Sequence, residues 1–186
     1  AHPIDGSLLR RWNLLLKPSR QKYLFLAKNF LKTIHTNGRS IHRNMVDISE
    51  KKATLRTAVA EAIVKVGSPD TIQAIQQKRV PKGDVFEMSR AAGFIGIKKT
   101  PELRPDCHPI PIEFASVDYT IEGLKIKIQM KVKTIYKTGV EVEAMHGAST
   151  IALNLYDMLK PIDKKIEIQN IRLLKKTGGK SDINNT

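Results

Sequence analysis

Four short clusters of this sequence contain lysine, arginine and carboxylate side chains, and these residue types can bind phosphates and transfer protons. Asp157 and Lys160 are three positions apart, so both lie on one face of any helix that contains them. Each cluster alone also has an ordinary explanation, such as a helix cap, a surface ion pair or a basic tail. The clusters are residues 45–49 with Arg56, 82–85 with 107–109, 137–144, and 156–160 with 172–181.

Three other kinds of site are not supported by the spacing. Residues 179–181 read Gly-Lys-Ser, as at the end of a phosphate-binding P-loop, but the position that requires glycine is occupied by Leu174. Cys107 and His108 are adjacent, and because neighbouring side chains usually point apart we expect a buried cysteine rather than a nucleophile–base pair. The five histidines lack metal-ligand spacing, so we predict no metal site.

The composition is that of a globular domain without a membrane span. The chain has 186 residues, of which 41% are hydrophobic and 27% charged, and this suits about one domain of ~100–200 residues. No apolar run approaches the ~20 residues of a transmembrane helix. Because Cys107 is the single cysteine, an internal disulfide framework and a cysteine-based zinc site are excluded, and a reducing compartment is favoured.

The positive charge is unevenly distributed along the chain. Lysine and arginine number 32 against 18 aspartates and glutamates, a net charge of +14, and residues 1–44 hold nine of the bases but one acid. Residues 45–186 are therefore only mildly basic, which also suits an enzyme with a polyphosphate substrate. We expect residues 1–44 to be a basic extension that is poorly ordered or foreign to the native protein, with a transit-peptide-like segment as the alternative.

The clearest element is a strand over residues 124–134, in which apolar and polar residues alternate. Its outer face carries a row of lysines that is a candidate nucleic-acid surface. No aromatic residues interleave with the row for base stacking, so we favour a solvated sheet face or an edge protected from aggregation.

The other elements follow from periodicity and capping. Residues 54–66 fit a helix and a strand equally well. Ser68 and Asp84 are predicted N-caps of two helices. If 54–66 is a strand, the order is the split βαβ, ferredoxin-like pattern. The remaining predictions are helices over 69–77, 84–99 and 140–160, strands over 112–121 and 166–174, and a hairpin turn at 122–123.

Together the four clusters closely resemble the cyclic pyranopterin monophosphate synthase family of molybdenum cofactor biosynthesis. The segments MVDIS, KGDVF, CHP, KTGVEVEA, YDMLK and RLLKKTGGKS occur in the family's order, so we expect residues 45–186 to be the synthase domain. The resemblance implies an α+β ferredoxin-like sandwich with an antiparallel sheet and an extra helix, in which 54–66 is a strand. It also implies a homohexamer, a trimer of dimers, with sites at subunit interfaces.

The resemblance further implies a lyase that converts cyclised dihydroguanosine triphosphate to cyclic pyranopterin monophosphate with release of pyrophosphate. This reaction needs cations for a triphosphate and proton transfers for ring opening and closure, and it needs no cofactor. Lysines serve both needs, because clustering and burial lower a lysine pKa toward the working pH. We expect a small nucleotide-derived substrate, no nucleic acid and no membrane, in the cytoplasm or, with a transit peptide, in the mitochondrial matrix.

Motif positions carry the family's site residues onto this chain. The resemblance makes Asp157 the catalytic aspartate and makes Lys82 and Lys160 the acid/base residues. The implied substrate-binding residues are Asp106, Cys107, His108, Glu141, Val142, Glu143, Lys176, Asp47, Arg56 and Lys180.

The chain departs from the family pattern beside the CHP motif. Asp106 stands where leucine is usual, and Arg104 stands where an apolar residue is usual. A buried and unpaired Asp106 carboxylate would be costly, and pairing with Arg104 would relieve that cost. Val142 replaces a common methionine, and Leu159 replaces a common cysteine.

Two alternative functions compete with the synthase. An RNA-binding ferredoxin-like domain would use the lysine row, but an aromatic content of 5% is low for base stacking. A homologue that has lost catalysis would keep the fold alone, and the retention of Lys82, His108, Asp157 and Lys160 argues against it.

Overall fold

The structure is a computed structural model that describes residues 44–185, so the basic extension expected over residues 1–44 lies outside the described part apart from Asn44. The strands are β1 (Thr54–Lys65), β2 (Phe114–Glu122), β3 (Lys125–Tyr136), β4 (Glu167–Thr177) and the short β5 (Ile183–Asn184). The helices are α1 (Pro69–Gln76), α2 (Val85–Lys98), α3 (Thr100–Leu103) and α4 (Glu141–Leu159).

The strands form one antiparallel sheet in the order β2-β3-β1-β4-β5. β1 and β2 flank β3, and β1 is connected to β2 through the helical segment, which is the split βαβ arrangement expected for a ferredoxin-like α+β fold. The β2–β3 hairpin turns through Gly123 and Leu124, and Gly123 has a φ of +57° that favours glycine. Residues 54–65 of the segment left undecided by periodicity form the central strand.

The core lies between one face of the sheet and the helices α2 and α4. Ala60 of β1 pairs with Met130 of β3, both are fully buried, and the next pairs on that face are buried as well. α2 and α4 pack closely because glycines lie at their contact. A Cβ on Gly147 of α4 would come within 2.6 Å of Ile97 of α2, so the two helix backbones are closer than side chains would permit.

Only one of the two predicted N-cap residues makes a capping hydrogen bond. Asp84 caps α2 as expected, and its carboxylate accepts a hydrogen bond of 3.2 Å from the Glu87 N–H. Ser68 occupies the N-cap position of α1, but its side chain makes no capping hydrogen bond. The buried carboxylate of Asp163 accepts hydrogen bonds there instead, from the N–H of Gly67 at 2.6 Å and the hydroxyl of Thr71 at 3.0 Å.

Two short elements, α3 and β5, were not predicted, and β4 extends to Thr177 beyond its predicted end.

The interpretation of the lysine row as part of an edge strand is wrong, because β3 lies between β2 and β1 in the sheet. Two of its lysines make local contacts: Lys127 pairs with Glu122 at 2.6 Å, and Lys133 lies 5.1 Å from the Phe114 ring centroid. Among residues 44–185, no helix is both long and apolar enough to cross a bilayer.

Candidate active site

A basic cavity of about 430 Å³ opens where the start of β1 meets the end of β4. Arg56 is held in its wall by hydrogen bonds from its guanidinium to the carbonyls of Tyr136 at 3.2 Å and Lys137 at 3.4 Å. Six cationic side chains and a single carboxylate, Glu141, line this basic cavity. The six cationic residues are Lys51, Lys52, Arg56, Lys137, Lys176 and Lys180.

Backbone geometry brings the C-terminal loop into the wall of the basic cavity. Gly178 has a φ of +86°, and a Cβ at this position would collide with the carbonyl oxygen of Leu55. The Gly178 carbonyl in turn accepts a hydrogen bond of 2.8 Å from the Thr54 hydroxyl. This close approach of the two strand ends brings Lys180 into the lining of the same cavity as Arg56, so the loop adds its positive charge to the cavity.

An acidic cavity of about 200 Å³ adjoins the basic one at the start of α4. Asp106, Glu141 and Glu143 contribute carboxyl groups to its lining, together with Cys107 and His108 and several apolar side chains. Glu141 and Gly139 line both cavities, so the two share a wall. The acidic cavity can accept a ligand group that is rich in N–H donors.

Burial controls the ionisation of two groups in the acidic cavity. Glu143 is 2% exposed, and burial followed by repulsion from Glu141 raises its pKa to about 7, against the lowering effect of its own backbone N–H. Cys107 is half-buried rather than buried as expected. Its partial burial still raises the pKa of the thiol, and the charge of Glu143 adds to the effect. Cys107 is therefore a neutral thiol at physiological pH and not an activated nucleophile.

A third cavity, of about 390 Å³, is formed by the segment 45–49 together with His108, Tyr136 and Lys137. Asp47 accepts hydrogen bonds from the N–H and hydroxyl of Ser49, which lower its pKa and fix a turn. Lys137 donates a hydrogen bond of 2.8 Å to the Ser49 carbonyl. Because His108 and Val46 also line the acidic cavity, the three cavities form one groove.

All ten residues predicted to bind substrate line this groove. Asp106 is exposed, so the burial cost considered for it does not arise, and Arg104 donates to the Leu103 carbonyl at 2.9 Å. The groove brings together Asp47, Arg56, Asp106, Cys107, His108, Glu141, Val142, Glu143, Lys176 and Lys180.

The three predicted catalytic residues form a separate lysine–aspartate cluster at the other end of α4. Asp157 accepts hydrogen bonds from Lys160 at 2.7 Å and Lys82 at 2.6 Å, one on each carboxylate oxygen. Lys160 and Lys82, in that order, hold the pKa of Asp157 at about 2. The cluster can bind an anion, orient a lysine and donate protons.

The expectation that burial lowers the pKa of the clustered lysines is wrong for Lys160. Its side chain is 50% exposed, and the hydrogen bond to Asp157, followed by that carboxylate's charge, raises its pKa. Within one chain, Lys160 is therefore a protonated proton donor.

The lysine–aspartate cluster and the groove are too far apart to act on one small molecule within a single chain. Glu141 and Asp157 are 16 residues apart on α4, which is roughly 24 Å at about 1.5 Å per helical residue. The structure thus assembles the residues predicted to bind substrate in one place and the residues predicted to be catalytic in another.

The groove also contains cations that the sequence interpretation did not assign as site residues. Lys51 and Lys52 lie just before β1, and Lys137 lies just after β3. The KTG motif at 137–139 was a usable signal for Lys137. Lys51 and Lys52 had no sequence signal beyond their proximity to the MVDIS segment, because their position depends on the path of the chain into the sheet.

The family comparison covers all of these elements, since the model of the MoaC family matches residues 45–179. The chain belongs to the MoaC family. The matched range includes the lysine–aspartate cluster and every residue of the groove except Lys180 and Ser181, which follow it directly.

Several MoaC-family relatives named cyclic pyranopterin monophosphate synthase are similar over most of their length. The protein of Pelobacter propionicus is 49% identical over 141 residues, which is 75% of this chain and 88% of the relative. That of Corynebacterium glutamicum is 46% identical over 138 residues, 74% of this chain and 88% of the relative. That of a Nostoc species is 44% identical over 156 residues, which is 83% of this chain and 92% of the relative.

Proposed function

We propose that this chain is a cyclic pyranopterin monophosphate synthase, a lyase that converts cyclised dihydroguanosine triphosphate to cyclic pyranopterin monophosphate with release of pyrophosphate. The observation that carries the proposal is the shared wall between the basic and acidic cavities at Gly139 and Glu141. A triphosphate matches the first cavity in charge, and the N–H edge of a guanine-derived ring matches the acceptors of the second.

The six cations of the basic cavity would bind the triphosphate and stabilise the leaving pyrophosphate. Lysine and arginine bind phosphate oxygens through charge-assisted hydrogen bonds, and several are needed for a polyanion. Glu141 pairs with Lys176 at 3.0 Å, which offsets part of the positive charge and holds Lys176 at the boundary with the acidic cavity.

The lysine–aspartate cluster would supply acid/base chemistry to the groove of another copy of the chain. Lys82 and Lys160 carry the protons, and Asp157 holds both side chains in place. Because roughly 24 Å of helix separates this cluster from the groove of its own chain, we propose that each site is completed across an interface. A homohexamer, a trimer of dimers, is the assembly we propose.

The proposed synthase domain is residues 45–186, preceded by a basic extension over residues 1–44. We propose action in the cytoplasm, with the mitochondrial matrix as the alternative if the extension is a transit peptide. Nucleic-acid binding through the lysine row is less favoured, because Lys127 and Lys133 are engaged with Glu122 and Phe114.

Pyrophosphate release from cyclised dihydroguanosine triphosphate tests the proposal directly. We expect release by the full chain, and by residues 45–186 alone if the extension has no catalytic part. Arg56→Ala should raise KM by about tenfold because a phosphate-binding cation is lost. A folded wild-type chain that releases no pyrophosphate would contradict the proposal and support the inactive homologue.

A further inference from the structure

Glu143 is the most deeply buried ionisable group of the groove. It lies in the first turn of α4, is 2% exposed and lines the acidic cavity. Glu141, on the same turn, has a cation of its own, because Lys176 lies 3.0 Å from its carboxylate. Among residues 44–185, no lysine, arginine or histidine forms such a pair with Glu143. Its carboxyl is therefore buried without a counter-ion.

Within one chain, the carboxylates around Glu143 oppose its ionisation. Asp106 and Glu141 bring two further carboxylates to the same cavity, and the Cys107 thiol beside it is neutral. Three basic residues lie near this cavity: His108 lines it, Lys176 pairs with Glu141, and Arg104 is near enough to lower the pKa of the Cys107 thiol. When several carboxyl groups share one cavity, the most buried of them keeps its proton.

The start of α4 favours an anion, and this effect has to be weighed against burial. A helix N-terminus stabilises a nearby carboxylate only modestly. Burying a carboxylate without a cation costs more than that stabilisation, so burial decides the ionisation state. The pKa of about 7 agrees with this balance.

We propose that Glu143 meets the substrate as a neutral carboxylic acid, donates a hydrogen bond to a ring acceptor and delivers that proton during the rearrangement. This inference rests on the proposed function and adds a role for one residue. Asp106 and Glu141, which line the same cavity, accept from N–H donors of the same ring. The acidic cavity thus offers one donor beside two acceptors.

The proton transfer balances without an added oxidant or reductant. As a carbon–heteroatom bond of the substrate ring breaks, its electron pair remains on the heteroatom, which takes the proton from Glu143. The carbon left behind forms a double bond with the neighbouring ring nitrogen, whose lone pair supplies the electrons. Glu143 becomes a carboxylate that the N–H groups of the first turn of α4 can stabilise. A proton from water, or from a later ring-closing step, restores the acid before the next turnover.

The pH dependence of pyrophosphate release separates an acid from an anionic hydrogen-bond acceptor. For the wild-type full chain we expect kcat/KM to fall as pH rises above about 7, because the acid form is lost. Glu143→Gln can still donate a hydrogen bond but has no proton to deliver. We expect this variant to keep KM within about threefold, to lose roughly 10²-fold in kcat and to lose the decline above pH 7.

Glu113→Gln is the matched control, because Glu113 is an exposed glutamate outside the groove, and it should retain the wild-type pH profile. An anionic role would give the opposite profile. A kcat/KM that rises between pH 6 and pH 8, or a Glu143→Gln variant with wild-type kcat, overturns the inference.

Infrared difference spectroscopy provides a readout that does not require turnover. The C=O band of a protonated carboxyl should disappear with a midpoint near pH 7 in the wild-type chain and should be absent from Glu143→Gln. A midpoint near 4.5 overturns the inference while pyrophosphate release continues. A band near pH 7 without pyrophosphate release overturns the proposed function, and with it the catalytic role of the acid.

Discussion

The Nζ of Lys82 lies 2.6 Å from a carboxylate oxygen of Asp157, although 75 residues separate the two in sequence. The same nitrogen donates to the Asp157 carbonyl at 2.8 Å. These contacts join the loop before α2 to the last turn of α4, where Lys160 binds the other carboxylate oxygen. Asp157 stays ionised at physiological pH because its two lysines hold its pKa at about 2.

Lys82→Ala should abolish most of the turnover and leave the fold intact. The Lys82 side chain is 37% exposed, so its removal opens no core cavity, whereas loss of an acid/base residue typically costs about 10²–10⁴-fold in kcat. Single-turnover pyrophosphate release and circular dichroism would measure the two effects. Lys98→Ala is the control, because Lys98 is an exposed lysine at the opposite end of α2. Wild-type kcat in Lys82→Ala would remove Lys82 from the mechanism.

Mixing two inactive variants should restore activity if each site draws on two chains. Lys82→Ala lacks a lysine of the lysine–aspartate cluster but keeps an intact groove. Glu143→Ala has a defective groove but keeps an intact lysine–aspartate cluster. Random exchange of subunits would pair an intact groove with an intact cluster in about a quarter of the sites. Pyrophosphate release after mixing and re-assembly measures this. No recovery, despite subunit exchange seen by native mass spectrometry, would place both functions in one chain.

The stability of the chain should depend on pH through Glu143. Its pKa is raised from 4.5 to about 7 in the folded state, so the folded chain binds more protons than the unfolded chain between these values. Glu143 therefore contributes about 3 kcal/mol to the free energy of unfolding below pH 4.5, and this contribution is lost as the pH rises to 7. Urea unfolding of the wild-type chain and Glu143→Gln across this range should show the difference. Parallel curves for the two proteins would contradict it.

Asp163→Ala should destabilise the fold more than a typical surface substitution. The 8%-exposed side chain accepts hydrogen bonds from the N–H groups of Gly67 and Lys165 and from the Thr71 hydroxyl. Burial raises the pKa of Asp163, but these three bonds outweigh it, so the stabilisation is lost only as pH falls below about 4. The donors left without a partner should cost about 3 kcal/mol in the free energy of unfolding. Ser68→Ala, which removes no capping bond, should cost less.

The fold was largely predictable because its strongest patterns are local. The alternation over 124–134 reflects a strand with one buried face, and Gly123 marks a real turn. Residues 54–66 could not be decided by periodicity because β1 is central and both of its faces are covered in places: Ala60 is fully buried on one face and Glu61 is 6% exposed on the other. The hydrogen bonds of Asp163 beside the start of α1 join residues that are 92 or more positions apart, which no local pattern reports.

The sequence predicts which residues form the candidate site but does not predict how they are arranged. Sequence motifs identify Glu143 and Asp157 equally well, and they do not reveal that the two lie at opposite ends of α4. The separation was nevertheless accessible, since a predicted helix over 140–160 already fixes their distance at about 1.5 Å per residue. The raised pKa of Lys160 was not accessible, because it depends on side-chain exposure and on the distance to Asp157.

The glycines between α2 and α4 make the activity sensitive to changes far from any reacting group. A methyl group on Gly147 would press on Ile97 and Met130, and one on Gly93 would press on Ile151. Either would act as a wedge that tilts one helix against the other. Since Lys82 precedes α2 and Asp157 lies on α4, such a wedge would separate the two side chains without replacing either. Substitutions at the contact between α2 and α4 should therefore inactivate the protein while it still folds and still binds the triphosphate.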